Sequence, residues 1–81
     1  MNTSKYLKEL ISPLIEDYSL FSVDMKKNEN GVIVFIIKVS NNDIKRVIGN
    51  GGRCYRSIKT LLRSCFRNEL VDLIIDIAGN K

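Results

Sequence analysis

Three glycines within four residues, Gly49-Asn50-Gly51-Gly52, interrupt an otherwise helical hydrophobic pattern in this 81-residue chain. Glycine costs about 1 kcal/mol relative to alanine inside a helix. A cluster of it marks backbone that must turn sharply or come close to another object. Before the cluster, Ile44, Val47 and Ile48 recur at helical spacing, with Asn41 or Asn42 available as a cap. After it, apolar residues recur at helical spacing from about Gly52 to Arg67. The centre of the chain is thus constrained to helix, tight turn, helix.

The flanks supply a second helix-forming stretch and three strands. Tyr6/Leu7, Leu10/Ile11 and Leu14/Ile15 predict a helix over Thr3 to Asp17, capped by Thr3 or Ser4, with Pro13 kinking it near Ile11 or Ser12. Leu20 to Lys27 alternates like a strand, and Asn28-Glu29-Asn30-Gly31 reads as a tight hairpin turn. Val32 to Val39 is too apolar for a half-exposed edge, so it is expected at the sheet centre, with one face carrying some exposed apolar surface. Leu70 to Ile77 places Val71, Leu73, Ile75 and Ile77 on one face, with Asp72 and Asp76 on the other. Ala78 to Lys81 reads as a short frayed end. The pattern predicts an α+β fold, a three-stranded sheet with three helices packed on one face, in a single domain spanning residues 1–81.

A domain of this size buries only about 60–65 % of its unfolded surface, enough for one core and too little for a deep cleft. The longest apolar run, Val32 to Ile37, falls far short of the ~20 residues that span a bilayer. No signal-like apolar stretch precedes the first helix, and a cytoplasmic location is the expectation. Cys54 and Cys65 would lie ~16 Å apart along one helix, beyond the ~7 Å a disulfide allows. Both are expected on its packed face as small hydrophobes in a reducing compartment. With no histidine and with scattered acids, no metal site or cofactor is expected, and catalysis is the weakest reading.

Charge is segregated. The 24 residues from Ile44 to Arg67 hold seven basic side chains and no acid, while the rest of the chain sums to −3. Within the helix after the loop, Arg53, Arg56, Lys59, Arg63 and Arg67 fall in a sector of roughly 120° at about 100° per residue. Like charges at i, i+4 repel by a few tenths of a kcal/mol, so an uninterrupted basic face points to a polyanionic partner more than to solvent. Arg63 and Arg67, farther from the loop, can equally face solvent or a protein.

The loop offers the matching chemistry. It delivers the chain into a helix N-terminus, whose free N–H groups and dipole favour phosphate. With no Cβ at Gly51 and Gly52, a sugar-phosphate backbone can lie against bare amides at residues 49–52, and Arg53 can add a charge-assisted bond. Ile44 and Ile48 are candidates for a groove floor with strand Ile33–Val39, under unpaired bases. The plain alternative is ordinary core for both, and core is also the favoured reading of Tyr55. Taken alone, Gly-x-x-Gly is also an ordinary helix-turn-helix connector.

The run Asn42-Asp43-Ile44-Lys45-Arg46-Val47-Ile48-Gly49-Asn50-Gly51-Gly52-Arg53, continuing through Ser57-Ile58-Lys59-Thr60-Leu61-Leu62, resembles a KH domain signature. In that family an Ile-Gly-x-x-Gly loop between two helices clamps about four single-stranded nucleotides. The element order is similar to the type II arrangement, αββααβ. The short length resembles the small stand-alone bacterial KhpA (YlqC) group. The resemblance implies a mixed sheet, single-stranded RNA binding without catalysis, and a role as post-transcriptional regulator or RNA chaperone. It also implies possible pairing, either as a homodimer or with a larger Jag-type (KhpB) KH protein. Carried over by position, Gly49 and Gly52 are the loop glycines and Arg53 the basic residue after them. Lys45, Arg46 and Arg56 are further candidate contacts from the chain's own charge pattern. Asn50 and Gly51 occupy the variable positions, where the family commonly has Lys or Arg. One phosphate contact is therefore expected to be weak, or shifted to Lys45, Arg46 or Arg53. The competing expectation is a protein-interaction module with weak or no RNA binding, using the basic helix or the exposed sheet face.

Overall fold

A computed structural model describes residues 2–78 of the chain. Gly79 to Lys81, most of the expected frayed end, lie outside the described residues. Helix α1 spans Thr3–Ile11, and its cap is Asn2, whose side chain accepts the Lys5 N–H at 3.1 Å, rather than Thr3 or Ser4. The helix ends well short of Asp17. Pro13 cannot donate an intrahelical bond, and Ser12–Leu14 tighten into a 3₁₀ turn. A second 3₁₀ turn, Tyr18–Leu20, is capped by the Asp17 side chain accepting the Ser19 N–H. Strand β1 therefore begins at Ser22 and runs to Lys27, later than the expected start at Leu20.

The Asn28–Gly31 turn forms as its sequence predicts. Gly31 takes φ 79°, and the Asn28 side chain accepts the N–H groups of Asn30 and Val32. Strand β2, Ile33–Val39, pairs antiparallel with β1 and parallel with β3, Val71–Ile77, so it is central in a mixed sheet of order β1-β2-β3. Ile33, Phe35, Ile37 and Val39 are buried on one face of β2; Val34 and Ile36 are half-buried on the other. The apolar run is explained by this. One face meets the helices, and the other is left uncovered.

Helix α3, Arg53–Cys65, buries Ile58 and Leu62 against the same face of the sheet as Leu7 and Ile11 of α1. These two helices carry the packing. The expectation of three helices packed on one face is corrected to two: α2, Ile44–Ile48, is five residues, little more than one turn. Neither Asn41 nor Asn42 caps it; Asp43 holds the cap position, with no side-chain cap bond. Gly49, at φ 83°, ends it. Val47 is nonetheless fully buried and pins this turn to the core. Helix α3 stops at Cys65 rather than Arg67, and Cys65 is exposed while Cys54 is half-buried, so only Cys54 keeps its expected place. No helix among the described residues is long and apolar enough to cross a membrane.

Candidate nucleic-acid interface

The three loop glycines have separate duties. Gly49 leaves α2 with its N–H on the Lys45 carbonyl at 2.8 Å, and its own carbonyl accepts the Gly52 N–H at 3.1 Å. A Cβ at Gly49 would stand 2.7 Å from the Cys54 nitrogen and 2.9 Å from the Cys54 Cβ. This glycine exists so that the turn can pack on the first turn of α3. At Gly51, with φ 65°, a Cβ would meet nothing within 4 Å, so its face is open. Gly52, at φ 77°, passes the chain into α3 through a left-handed conformation. Every positive φ among the described residues belongs to a glycine.

The amides are less free than a bare loop implies. Gly49, Gly52 and Arg53 donate to the carbonyls of Lys45, Gly49 and Asn50. That leaves Asn50 and Gly51, whose amides have no partner among the described residues. The expectation of open amides across 49–52 therefore narrows to two adjacent groups, at the exposed tip of the turn.

Cations surround that tip unequally. Arg53 is exposed at the start of α3. Arg56 reaches back and donates from Nη1 to the Gly51 carbonyl at 2.8 Å. Arg53, Arg56, Ser57 and Thr60 line one shallow cleft beside the loop. On its other side, Lys45, Arg46 and Ile48 join Gly49, Asn50 and Gly51 around a second cleft of about 430 Å³. Lys45 is exposed and makes no ion pair with a described residue.

Arg46 is committed elsewhere. Its guanidinium binds the Asp43 carboxylate, stands 3.2 Å from Glu16 Oε1, and donates from Nε to the Leu14 carbonyl at 3.1 Å. The hydrogen bond to Asp43 raises its already high pKa. Two acids thus balance its charge, which makes it a brace at the cleft wall. Lys59 is also drawn away, lying 3.7 Å from Asp72 and over the Tyr55 ring. The basic face of α3 is in effect Arg53 and Arg56 near the loop, with Arg63 exposed beyond.

Ile48 is half-buried and lines the cleft, whereas Ile44 packs against the core. The alternate β2 residues Ile33, Phe35, Ile37 and Val39 are sealed inside and contribute no groove floor. Tyr55 packs on the core and donates its hydroxyl to the Leu73 carbonyl at 2.9 Å.

Asp43 is the residue that sequence reasoning passed over. Its side chain is fully buried. It accepts the N–H of Glu16 at 3.0 Å, the N–H of Asp17 at 3.1 Å and the Ser40 hydroxyl at 3.0 Å, besides binding Arg46. It ties the segment after α1 to the base of α2. The Asp17 amide, with Arg46, the Glu16 amide and Ser40, holds its carboxyl down to about 2 against the opposing effect of burial. Its role is hidden in sequence because the two amides it accepts lie 26 and 27 residues away.

No family model matches the chain, and no curated protein sequence matches it. Among the described residues there is no cluster of three or more potential metal ligands.

Proposed function

We propose that the chain is a type II KH-like single-stranded RNA-binding domain, acting in post-transcriptional regulation or as an RNA chaperone without catalysis. The observation that carries this reading is the pair of unpartnered amides at Asn50 and Gly51, at an exposed turn between clefts walled by Arg53 and Arg56 on one side and Lys45 on the other. Two adjacent N–H groups donate to one phosphate, and the flanking cations donate to its neighbours. The element order and the Ile-Gly-x-x-Gly run support the KH-like assignment. Ile48 gives a base one apolar surface to rest on. With backbone and cation contacts dominating, recognition is salt-dependent and has little base preference.

Gly51→Asp tests the reading. The open space at Gly51 accommodates a side chain, and Asp is among the residues that tolerate a left-handed φ. Its carboxylate would stand where the phosphate docks. Binding of a single-stranded oligoribonucleotide, followed by fluorescence anisotropy, should weaken at least about tenfold, or about 1.4 kcal/mol. For three phosphate contacts, the wild type should show a log–log salt slope near −2, at about −0.7 per contact. Unchanged affinity in a variant that melts like wild type would overturn the assignment.

A further inference from the structure

We infer that the apolar cleft between α1 and α3 receives an unpaired base of the same RNA strand whose phosphate docks at the loop, a step that rests on the RNA-binding reading above. Leu10 of α1, with Pro13 and Leu14 of the 3₁₀ turn after it, forms one wall. Cys54, Ser57 and Leu61 of α3 form the other. The cleft holds about 420 Å³, a volume in the range of small-ligand sites. No charged residue lines it among the described residues. It lies on the side of α3 that faces α1, whereas the Tyr55 side of that helix meets β3 at the Leu73 carbonyl. It is separate from the Ile48 surface at the loop.

Three contacts make this cleft continuous with the loop. Ser57 is shared with the basic cleft of Arg53, Arg56 and Thr60. Cys54 is the residue against which Gly49 packs. The Leu14 carbonyl accepts from Arg46, which walls the cleft on the other side of the loop. A strand whose phosphates sit on the Asn50 and Gly51 amides and on Arg53 therefore has an apolar recess beside it, open to a base that turns inward.

The layout of charge selects this occupant. Cations stand at the loop and along the α3 rim, while the interior is uncharged. The matching ligand carries repeated anions on one side and flat apolar groups on the other, joined by short tethers. A single strand with splayed bases has that form. Tyr6, 45 % exposed and one turn before Leu10 on the same side of α1, offers the next base an aromatic plane. A second copy seated here would have to bring the same Arg53–Arg56 rim with it, and no acid lines the cleft to meet that rim. Burying a base in such a recess adds affinity without adding to the salt slope. With the Ser57 hydroxyl as the one strong polar side chain in the lining, the cleft discriminates weakly between bases.

The test is a cycle between a missing base and a missing side chain. Fluorescein-labelled octauridylate, and the same oligomer built with abasic ribose-phosphates, are titrated by anisotropy against wild type and Leu10→Gln. Leu10 is 46 % exposed, and Gln is a good helix former, so the variant should melt like wild type. It should bind octauridylate about 5-fold more weakly than wild type does. The factor should be the same at two salt concentrations, because no charge is lost. On the abasic oligomer the two proteins should be equal. A thiouridine octamer irradiated with the unaltered protein should crosslink to the segment Leu10–Leu14 or to Leu61, an arm that needs no variant. Equal binding of octauridylate by wild type and folded Leu10→Gln overturns the proposal. So does an equal loss on both oligomers, which marks a change in the fold or in phosphate contacts. So do crosslinks confined to the loop and β3. A wild-type dimer that Leu10→Gln dissolves, with RNA affinity unchanged, would give the cleft to a second copy instead. Failure of the loop reading looks different: Gly51→Asp then leaves octauridylate affinity unchanged. Failure here keeps the Gly51→Asp loss and removes only the dependence on Leu10.

Discussion

The Arg56 guanidinium and the Gly51 carbonyl are joined by a hydrogen bond of 2.8 Å that spans the entry to α3. The bond satisfies a loop acceptor that would otherwise repel an approaching phosphate. It also keeps a positive charge beside the two unpartnered amides. Arg56→Ala should lower affinity for single-stranded RNA by about 3- to 10-fold, or roughly 1 kcal/mol. Its thermal midpoint should move little, because the bond is exposed. Arg56→Lys keeps the charge and loses the planar fork, and should fall between the two. Anisotropy titrations at two salt concentrations, paired with thermal melts, check this.

Gly49 and Gly51 both have positive φ, yet they predict different outcomes for the same substitution. At Gly49 an added methyl must displace the Cys54 backbone, which is helical and anchored. Gly49→Ala should destabilise the fold by about 2–4 kcal/mol, combining a steric clash with left-handed strain. At Gly51 only the strain applies, so Gly51→Ala should cost about 1 kcal/mol. Urea denaturation of the two variants side by side should show the first midpoint shifted well beyond the second.

Lys45 and Arg46 are adjacent basic residues beside one cleft, but only Lys45 is free of described ion pairs. Lys45→Ala should weaken RNA binding about 3-fold and reduce the salt slope by about 0.7, with little change in melting. Arg46→Ala removes the internal counter-charge of a buried carboxylate. It should lower the melting temperature clearly, and affect RNA binding mainly through loss of folded protein. Reversal of this ranking would mean that Arg46 leaves Asp43 when RNA arrives.

Features governed by local rules were legible in the chain. The Asn28–Gly31 turn, the central place of Ile33–Val39 and the break at Gly49 each follow from residue types a few positions apart. Element ends were less legible, because competing local signals decide them. Pro13 ends α1 outright, and Asp17 curls Tyr18–Leu20 into a turn before β1. The candidate site was legible as a set of residues, but not as a division of labour. Lys59 and Arg46 look like equal members of a basic surface until Asp72 and Glu16 are brought in from distant sequence to join Asp43, three residues from Arg46. The same distance hid Asp43, whose burial depends on two backbone amides on the far side of the hairpin.

Asp43 also sets an acid limit on the site. Its carboxyl is held from an ordinary 3.8 down to about 2, first by the Asp17 amide and then by Arg46, Glu16 and Ser40 against burial. A carboxylate with a lowered folded-state pKa contributes stability that is fully present above its unfolded value. That contribution is lost as pH falls from about 4 through about 2. Below that range the protonated acid accepts fewer bonds, and the segment at Glu16–Asp17 loosens from the base of α2. Asp43→Asn should melt at a lower temperature than wild type at neutral pH, since the amide cannot accept all four donors or balance Arg46. The gap between the two proteins should then narrow steadily as pH falls from 4 to 2, because acid removes from wild type what the substitution has already removed. Melting curves by circular dichroism at half-unit pH steps measure that gap directly. A gap that stays constant across this window would show that the Asp43 carboxylate is not what joins the segment after α1 to the helix carrying the loop.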